Sequence, residues 1–286
     1  MSCRAMVCAN AASALCPQPE GRGLALAKDS FSDLATRVVT GLVIACVGLA
    51  AVWAGGWWFS TLVIVVIATL VWELARMLGG GPRRALILGA ISGAAILATK
   101  LLAVGFALPV VLAVPLAGIA VLERNRTLFV VMSALILLAG FGLILHRDSF
   151  GLTWMLWLVL IVAATDILGY FAGRILGGPK FWPSVSPKKT WSGTVAGWVG
   201  AAAIGWIFMA RTGSGAELIG ISIALSMASQ IGDIAESAVK RRMGVKDSSN
   251  LLPGHGGVYD RFDGLLGAAI LLVIVESLTD FPPPPL

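Results

Sequence analysis

The chain has 286 residues, of which 58% are hydrophobic and 13% charged, and its mean hydropathy is +0.90. These values exclude an ordinary soluble protein and indicate a polytopic membrane protein. The net charge of +6 does not indicate nucleic acid as a partner, because the basic residues separate apolar stretches instead of forming one soluble patch.

The predicted elements begin after an N-terminal extension. Residues 1–30 are expected to form a disordered cytoplasmic extension without a cleaved signal. Residues 31–149 are expected to hold transmembrane helices one to five, and residues 150–281 transmembrane helices six to nine with cytoplasmic loops. Nine mostly apolar stretches support this count, at about 38–54, 57–78, 85–99, 101–121, 127–145, 150–172, 191–210, 216–239 and 262–279.

The distribution of basic residues predicts the orientation of this all-α fold. With nine alternating spans, only Lys100, Arg147 and Arg211 of the 21 Lys and Arg residues fall on one side. Cytoplasmic loops are enriched in Lys and Arg, so the other side is expected to be cytoplasmic. The N-terminus is therefore predicted to lie in the cytoplasm and the C-terminus outside.

Several individual residues in the first five helices carry structural predictions of their own. Glycines at 55–56 predict a turn, and Pro109 and Pro115 predict a kink in the fourth helix. Glu73 and Arg76 lie one helical turn apart and favour a plain interfacial ion pair. His146 is interpreted as a bystander on the external side.

The most polar segment of the chain, residues 237–263, follows a helix with a polar stripe. Gln230, Asp233, Ser237 and Lys240 recur at spacings of three and four, so they share one helix face. Ionisable side chains are costly inside a bilayer unless they face partners or water, which makes them functional candidates. The predicted topology places five acids toward the cytoplasmic leaflet, namely Asp166, Asp233, Glu236, Asp260 and Asp263.

Acids on two separate helices indicate a metal site. Asp233, Asp260 and Asp263 supply the oxygen ligands of a hard divalent cation, with Mg²⁺ the best fit and open positions left for a phosphate. From spacing alone, structural ion pairs with Lys240 and Arg261 explain these acids equally well.

The loop between these helices favours a metal site over structural ion pairs. Residues 254–257, Gly-His-Gly-Gly, carry little side-chain bulk, so backbone N–H groups can approach an anion just before a helix N-terminus. Basic residues flank this loop, namely Lys240, Arg241, Lys246 and Arg261. A second basic loop carries Lys188, Lys189 and Thr190, although a plain topogenic loop explains those residues as well. The combination of acids, cations and glycines predicts a polyphosphate site.

Two blocks of the sequence are similar to a known family. The first looks like the complete signature of the phosphatidate cytidylyltransferases, at Ser237, Lys240, Arg241, Lys246, Asp247, Leu252, Pro253, His255, Gly256, Gly257, Asp260, Arg261 and Asp263. The second resembles that family's other block, at Asp166, Tyr170, Gly173, Arg174 and 186–190. One position departs from the pattern, because Ser192 stands where the family usually has Glu.

The resemblance implies transfer of CMP from CTP to phosphatidate, with release of pyrophosphate. It implies catalytic roles for Asp233, Asp260, Asp263, Lys240 and His255, with Mg²⁺, alone or with a second cation, on the three Asp residues. The substrate-binding residues would be Lys188, Lys189, Thr190, Ser237, Arg241, Lys246, Asp247, Gly256, Gly257, Arg261, Asp166 and Arg174. A homodimer in a bacterial inner membrane, with the site facing the cytoplasm, is also expected.

Two other functions compete with this interpretation. A CTP-dependent lipid kinase would need similar acids and basic loops but would transfer the γ-phosphoryl group. An ion-coupled transporter also needs intramembrane acids, but transporters usually show related halves with charges near the bilayer centre. Here the acids crowd toward one leaflet and no internal repeat is visible, which disfavours a transporter.

Overall fold

The fold is described from a computed structural model that covers residues 21–279 and residue 281, with side chains from Val38 onward except Val104. Helices make up most of this part of the chain, which confirms the predicted all-α class. The first helix begins at Gly21, so residues 21–30 are helical where the sequence predicts disorder. The rest of the predicted extension, residues 1–20, lies outside the described residues.

Eight α-helices are described, and several of them are long and apolar enough to cross a membrane. In chain order they are α1 Gly21–Ala54, α2 Gly56–Met77, α3 Pro82–Leu101, α4 Ala107–Val121, α5 Arg126–Ile175, α6 Trp191–Thr212, α7 Glu217–Met243 and α8 Tyr259–Leu278. Five meet the length and hydropathy expected of a span, namely α2, α3, α5, α6 and α7. The apolar part of α1, Val38–Ala54, and α4 are shorter. The protein is therefore an integral membrane protein, while the count of nine spans and their direction stay predictions.

The fifth and sixth predicted helices are joined in α5, which is 50 residues long. Helical geometry is interrupted only at Gly151, whose φ of 81° and ψ of −165° divide α5 into residues 126–150 and 152–175. Glycine adopts this positive φ without the steric cost that a Cβ imposes. The gap predicted at 146–149 is therefore wrong, because these residues stay helical and a single glycine makes the break.

A two-stranded hairpin lies between α5 and α6, where the sequence predicts only a basic loop. Strand β1, Lys180–Trp182, pairs antiparallel with β2, Ser186–Thr190. The Thr190 side chain then caps α6, since its Oγ1 accepts a hydrogen bond of 3.3 Å from the amide of Gly193. Ser192, the residue that departs from the family pattern, donates to the carbonyl of Gly177 at 2.5 Å. This serine ties the start of α6 to the chain that precedes the hairpin.

Several helix ends meet at one end of the bundle, around the break in α5. Arg147 donates to the carbonyl of Val52 at 2.9 Å, and Lys100 pairs with Asp148. The buried His146 pairs through Nδ1 with the carboxylate of Glu276, near the end of α8. Since Glu276 lies 16 residues after Asp260 on one helix, this end is about 24 Å from the start of α8.

Helices α7 and α8 approach each other closely through two glycines. A Cβ on Gly232 would lie 2.4 Å from the carbonyl oxygen of Asp263, and one on Gly267 would lie 2.3 Å from that of Ala228. Both distances are shorter than any real Cβ contact, so only glycine fits this crossing. Small residues at such crossings let helix backbones pack tightly in membranes. Because Gly232 precedes Asp233 and Gly267 lies one turn after Asp263, the crossing places these two acids side by side.

We expect Gly267→Ala to push α7 and α8 apart and to destabilise the protein. The added methyl group would meet backbone atoms that cannot rotate away, and overpacking of this kind costs about 1–3 kcal/mol. A lower Tm of the purified protein in detergent would show this effect. Gly220→Ala is the matched control in α7, since a Cβ there meets nothing within 4 Å. Equal Tm values for the two variants would contradict this account of the crossing.

Candidate active site

The crossing of α7 and α8 brings three acids together. Asp233, Glu236 and Asp263 each place one carboxylate oxygen within 4.8 Å of the others. Glu236 is fully buried, and Lys240 is the cation in contact with it. Three carboxylates this close together repel one another unless cations lie among them. The group therefore has the chemistry and the spacing to hold a metal ion.

The membership of this group differs in one residue from the predicted ligand set. Asp233 and Asp263 are present, whereas Asp260 is not part of the group, and Glu236 is the third member. Glu236 lies three residues after Asp233, a spacing that puts both side chains on the same face of α7. That spacing was the signal in the sequence that could have identified Glu236.

Asp260 instead contacts a lysine and the backbone of the loop that precedes α8. Its Oδ1 lies 2.5 Å from Nζ of Lys240, and its Oδ2 accepts hydrogen bonds from the amides of Ser248 at 3.0 Å and Gly257 at 2.8 Å. The structural ion pair, which the sequence left open as an alternative, describes Asp260 well. Its carboxylate holds the loop and Lys240 in place beside the acidic group.

Lys240 connects Asp260 to the acidic group. Its Nζ also lies 2.5 Å from Oε2 of Glu236, one turn earlier on α7, and the two groups form an ion pair. The lysine side chain is 12% exposed, whereas those of Glu236 and Asp260 are 1% and 5% exposed. One cation therefore compensates two buried carboxylates from different helices.

The hairpin supplies a second lysine to the same site. Nζ of Lys189, in β2, lies 2.5 Å from Oδ2 of Asp233, whose other oxygen accepts a 3.3 Å hydrogen bond from Ser237. Thr190, the next residue, caps α6 and is buried. The predicted second basic loop thus reaches the acids, with Lys189 in direct contact.

The glycine-containing loop between α7 and α8 forms a tight turn. The amide of Leu252 donates to the carbonyl of Gly256 at 2.9 Å, and Gly256 has a positive φ of 83°. Arg261 donates to the carbonyl of His255 at 2.9 Å and so holds the turn against α8. The His255 ring faces α1, where a Cβ on Gly41 would lie 3.4 Å from its Nε2.

The other predicted binding residues lie on the same end of the bundle. Arg174 donates to the hydroxyl of Tyr170 at 2.7 Å, within α5. A Cβ on Gly257 would lie 1.8 Å from Oγ of Ser248, so this position accepts only glycine. The remaining polar residues are exposed at this end, and they are Lys188, Arg241, Lys246, Asp247 and Asp166.

Glu73 also belongs to this region, and the interfacial ion pair expected for it is not what the structure shows. Its side chain is fully buried and accepts hydrogen bonds from the loop and from the first residue of α8, and none of them comes from Arg76. The i, i+3 spacing indicated the wrong partner, because the true partners are far away in sequence. An acid inside an apolar stretch was the available signal.

The fold and the site define a class, that of membrane proteins with an acidic cation site and basic side chains at one end of a helical bundle. Residues 35–278 match the model of the cytidylyltransferase family. The chain belongs to this family, and it is therefore a nucleotidyltransferase.

Individual relatives agree with the family match. A phosphatidate cytidylyltransferase of Brucella abortus biovar 1 (strain 9-941) is 36% identical over 258 residues, covering 87% of this chain and 95% of that protein. One of Bacillus subtilis (strain 168) is 40% identical over 136 residues, covering 46% of this chain and 51% of that protein. These similarities confirm the resemblance found in the signature.

Proposed function

We propose that this membrane enzyme transfers CMP from CTP to phosphatidate, giving CDP-diacylglycerol and pyrophosphate. The observation that carries the proposal is the acidic group of Asp233, Glu236 and Asp263, with Lys189 and Lys240 each 2.5 Å from one of its members. Acids that can hold a cation, set among lysines, suit a nucleoside triphosphate and a second phosphate. The named relatives act in phosphatidate cytidylyl transfer, which fits this chemistry.

The reaction joins a phosphatidate oxygen to the α-phosphorus of CTP and breaks the bond from that phosphorus to the β-phosphate oxygen. Lys189 and Lys240 would stabilise the negative charge that develops on the phosphates. The exposed cations Lys188, Arg241 and Lys246 would bind the triphosphate from the aqueous side. The sequence predicts that amides of the glycine-containing loop approach the phosphates, but the amides of Leu252, His255 and Gly256 donate within the turn itself. Those of residues 257–259 donate to Asp260 and Glu73, so side-chain cations would bind the leaving pyrophosphate instead.

We assign Mg²⁺ as the cation of this site. Three carboxylates offer the hard oxygen ligands that Mg²⁺ prefers, and its usual sites combine few protein carboxylates with substrate phosphates. When bound, Mg²⁺ would neutralise charge on the transferred and leaving phosphates. Asp233 and Asp263 would hold it with Glu236, while Asp260 would act through Lys240 and the loop.

The site is proposed to face the cytoplasm from the inner membrane of a bacterial cell. The acids lie at the end of the bundle opposite to Lys100 and Arg147, and most of the basic residues lie with them. Cytoplasmic ends carry this excess of Lys and Arg. At that depth the phosphate of a lipid in the inner leaflet and CTP from the cytosol can both reach the acids. Pairing of two copies of the chain stays a prediction.

Labelled CTP tests the proposed reaction against the lipid kinase. With purified protein, phosphatidate, diacylglycerol and Mg²⁺, we expect the α-phosphorus label to enter the lipid and the γ-phosphorus label to leave as pyrophosphate. A kinase would instead transfer the γ label to a lipid acceptor such as diacylglycerol. Lipid carrying only the γ label, or no label with either nucleotide, would overturn the proposal.

A further inference from the structure

Glu73 is a buried carboxylate in the first half of the chain that contacts the loop before α8. Its Oε1 accepts hydrogen bonds from Oγ of Ser249 at 2.5 Å and from the amide of Val258 at 2.9 Å. Its Oε2 accepts one from the amide of Tyr259 at 2.7 Å and lies 3.2 Å from Oγ of Ser248, whose single proton is shared with Asp260. Glu73 thus accepts three hydrogen bonds, and a fourth when the Ser248 hydroxyl points toward it.

Two of these donors are backbone amides at the N-terminus of α8. The first amides of any helix have no acceptor within the helix, and a side chain at the N-cap position usually supplies one. The N-cap residue of α8 is Val258, which makes no such side-chain bond. Glu73 supplies it from α2, and its negative charge also suits the positive end of the helix dipole.

The same carboxylate is linked to the proposed active site through one serine. Oγ of Ser248 lies 3.2 Å from Oε2 of Glu73 and 3.0 Å from Oδ2 of Asp260. Asp260 in turn pairs with Lys240, which contacts the acidic group. A chain of contacts therefore runs from α2 through the loop to the residues that would bind the nucleotide.

We propose that Glu73 is a positioning residue of this enzyme. It fixes the 248–259 loop and the start of α8 in the conformation that binds the phosphates of CTP. This role rests on the proposed function. It extends the active site to a helix of the N-terminal half, which supplies the anchor for a loop more than 170 residues away in the sequence.

The substitution Glu73→Gln tests this role with little change in size. Glutamine keeps one acceptor oxygen but replaces the other with an NH₂ group, which would face two donors. We expect KM for CTP to rise about tenfold, while KM for phosphatidate changes less than twofold. We also expect faster hydrogen exchange at the amides of 248–259, measured by mass spectrometry on the full-length protein.

Glu123→Gln is the matched control, because Glu123 is an exposed acid between α4 and α5. The hydrogen bond and charge of Arg84, 2.7 Å away, hold the pKa of Glu123 below its ordinary value, so this control also removes one negative charge at neutral pH. It should leave both KM values and the exchange rates unchanged. Ser249→Ala combined with Glu73→Gln should raise KM for CTP by less than the product of the two single effects, because both variants remove the same contact.

Three outcomes would overturn the proposal. The first is an unchanged KM for CTP in Glu73→Gln, and the second is a loss of activity that only follows the amount of folded protein. The third is unaltered hydrogen exchange in the loop. Because hydrogen exchange needs no substrate, it tests the anchor even if the enzyme proves to use another reaction.

Discussion

Asp233→Asn and Asp263→Asn are each expected to lower kcat by about 10²–10³-fold, the loss typical of removing one group that stabilises transition-state charge. Both residues belong to the acidic group, and a neutral amide is a poorer ligand for a hard divalent cation than a carboxylate. Raising the Mg²⁺ concentration should recover part of the lost rate. The measurement is kcat of purified protein across a Mg²⁺ series.

The thermal stability of these variants should not fall together with kcat. Three carboxylates lie within 4.8 Å of one another, so neutralising one of them relieves repulsion between like charges. We therefore expect the Tm of Asp263→Asn without added divalent ion to stay equal to that of the unaltered protein or to rise. Asp233→Asn also loses the ion pair with Lys189, so its Tm should rise less. Added Mg²⁺ should raise the Tm of the unaltered protein more than that of either variant, because a ligand of the native state stabilises it.

Asp148→Asn is the control for these variants. Asp148 pairs with Lys100 at the opposite end of the bundle and should leave kcat unchanged. Full turnover in purified Asp233→Asn or Asp263→Asn would remove the metal assignment. A Tm that falls together with kcat would show that the residue acts in folding instead.

The acids of α7 and α8 could be predicted because their signal is local. Asp233 and Asp263 stand inside apolar stretches. An acid in a membrane segment is energetically costly, which makes it a functional candidate. Whether Asp260 or Glu236 joins Asp233 and Asp263 cannot be read from the local sequence. It depends on how α7 and α8 cross, which Gly232 and Gly267 determine through close backbone contacts. The hydrophobic pattern of either helix carries no information about that crossing.

Long-range contacts explain what was missed elsewhere. Glu73 and the amide of Val258 are 185 residues apart, so no spacing rule relates them, whereas Arg76 stood one turn away and offered a plausible partner. The hairpin was not predicted because Pro183 and Pro187 interrupt it, and proline usually argues against a strand. The break in α5 was predicted as a loop of several residues because a single glycine has no hydrophobic signature of its own.

Lys240→Met is expected to cause the largest loss of stability among these substitutions. Nζ of Lys240 lies 2.5 Å from both Glu236 and Asp260, and its removal leaves two buried carboxylates without their shared cation. Removing one partner of a buried ion pair costs about 3–5 kcal/mol. For a chain of this size, such a loss lowers the Tm by roughly 10 °C. Turnover should fall as well, since Lys240 is also proposed to stabilise charge on the phosphates.

A second substitution separates the two effects. Glu236→Gln, added to Lys240→Met, removes one of the uncompensated charges and should recover several degrees of Tm without restoring turnover. Lys180→Met, at an exposed lysine of the hairpin, should leave the Tm unchanged. If Lys240→Met melts like the unaltered protein, the lysine does not compensate these acids. If turnover recovers in the double variant, Lys240 has only a structural role. The loss of turnover in Lys240→Met would then be caused by the uncompensated charge of Glu236 and not by a missing contact to the phosphates.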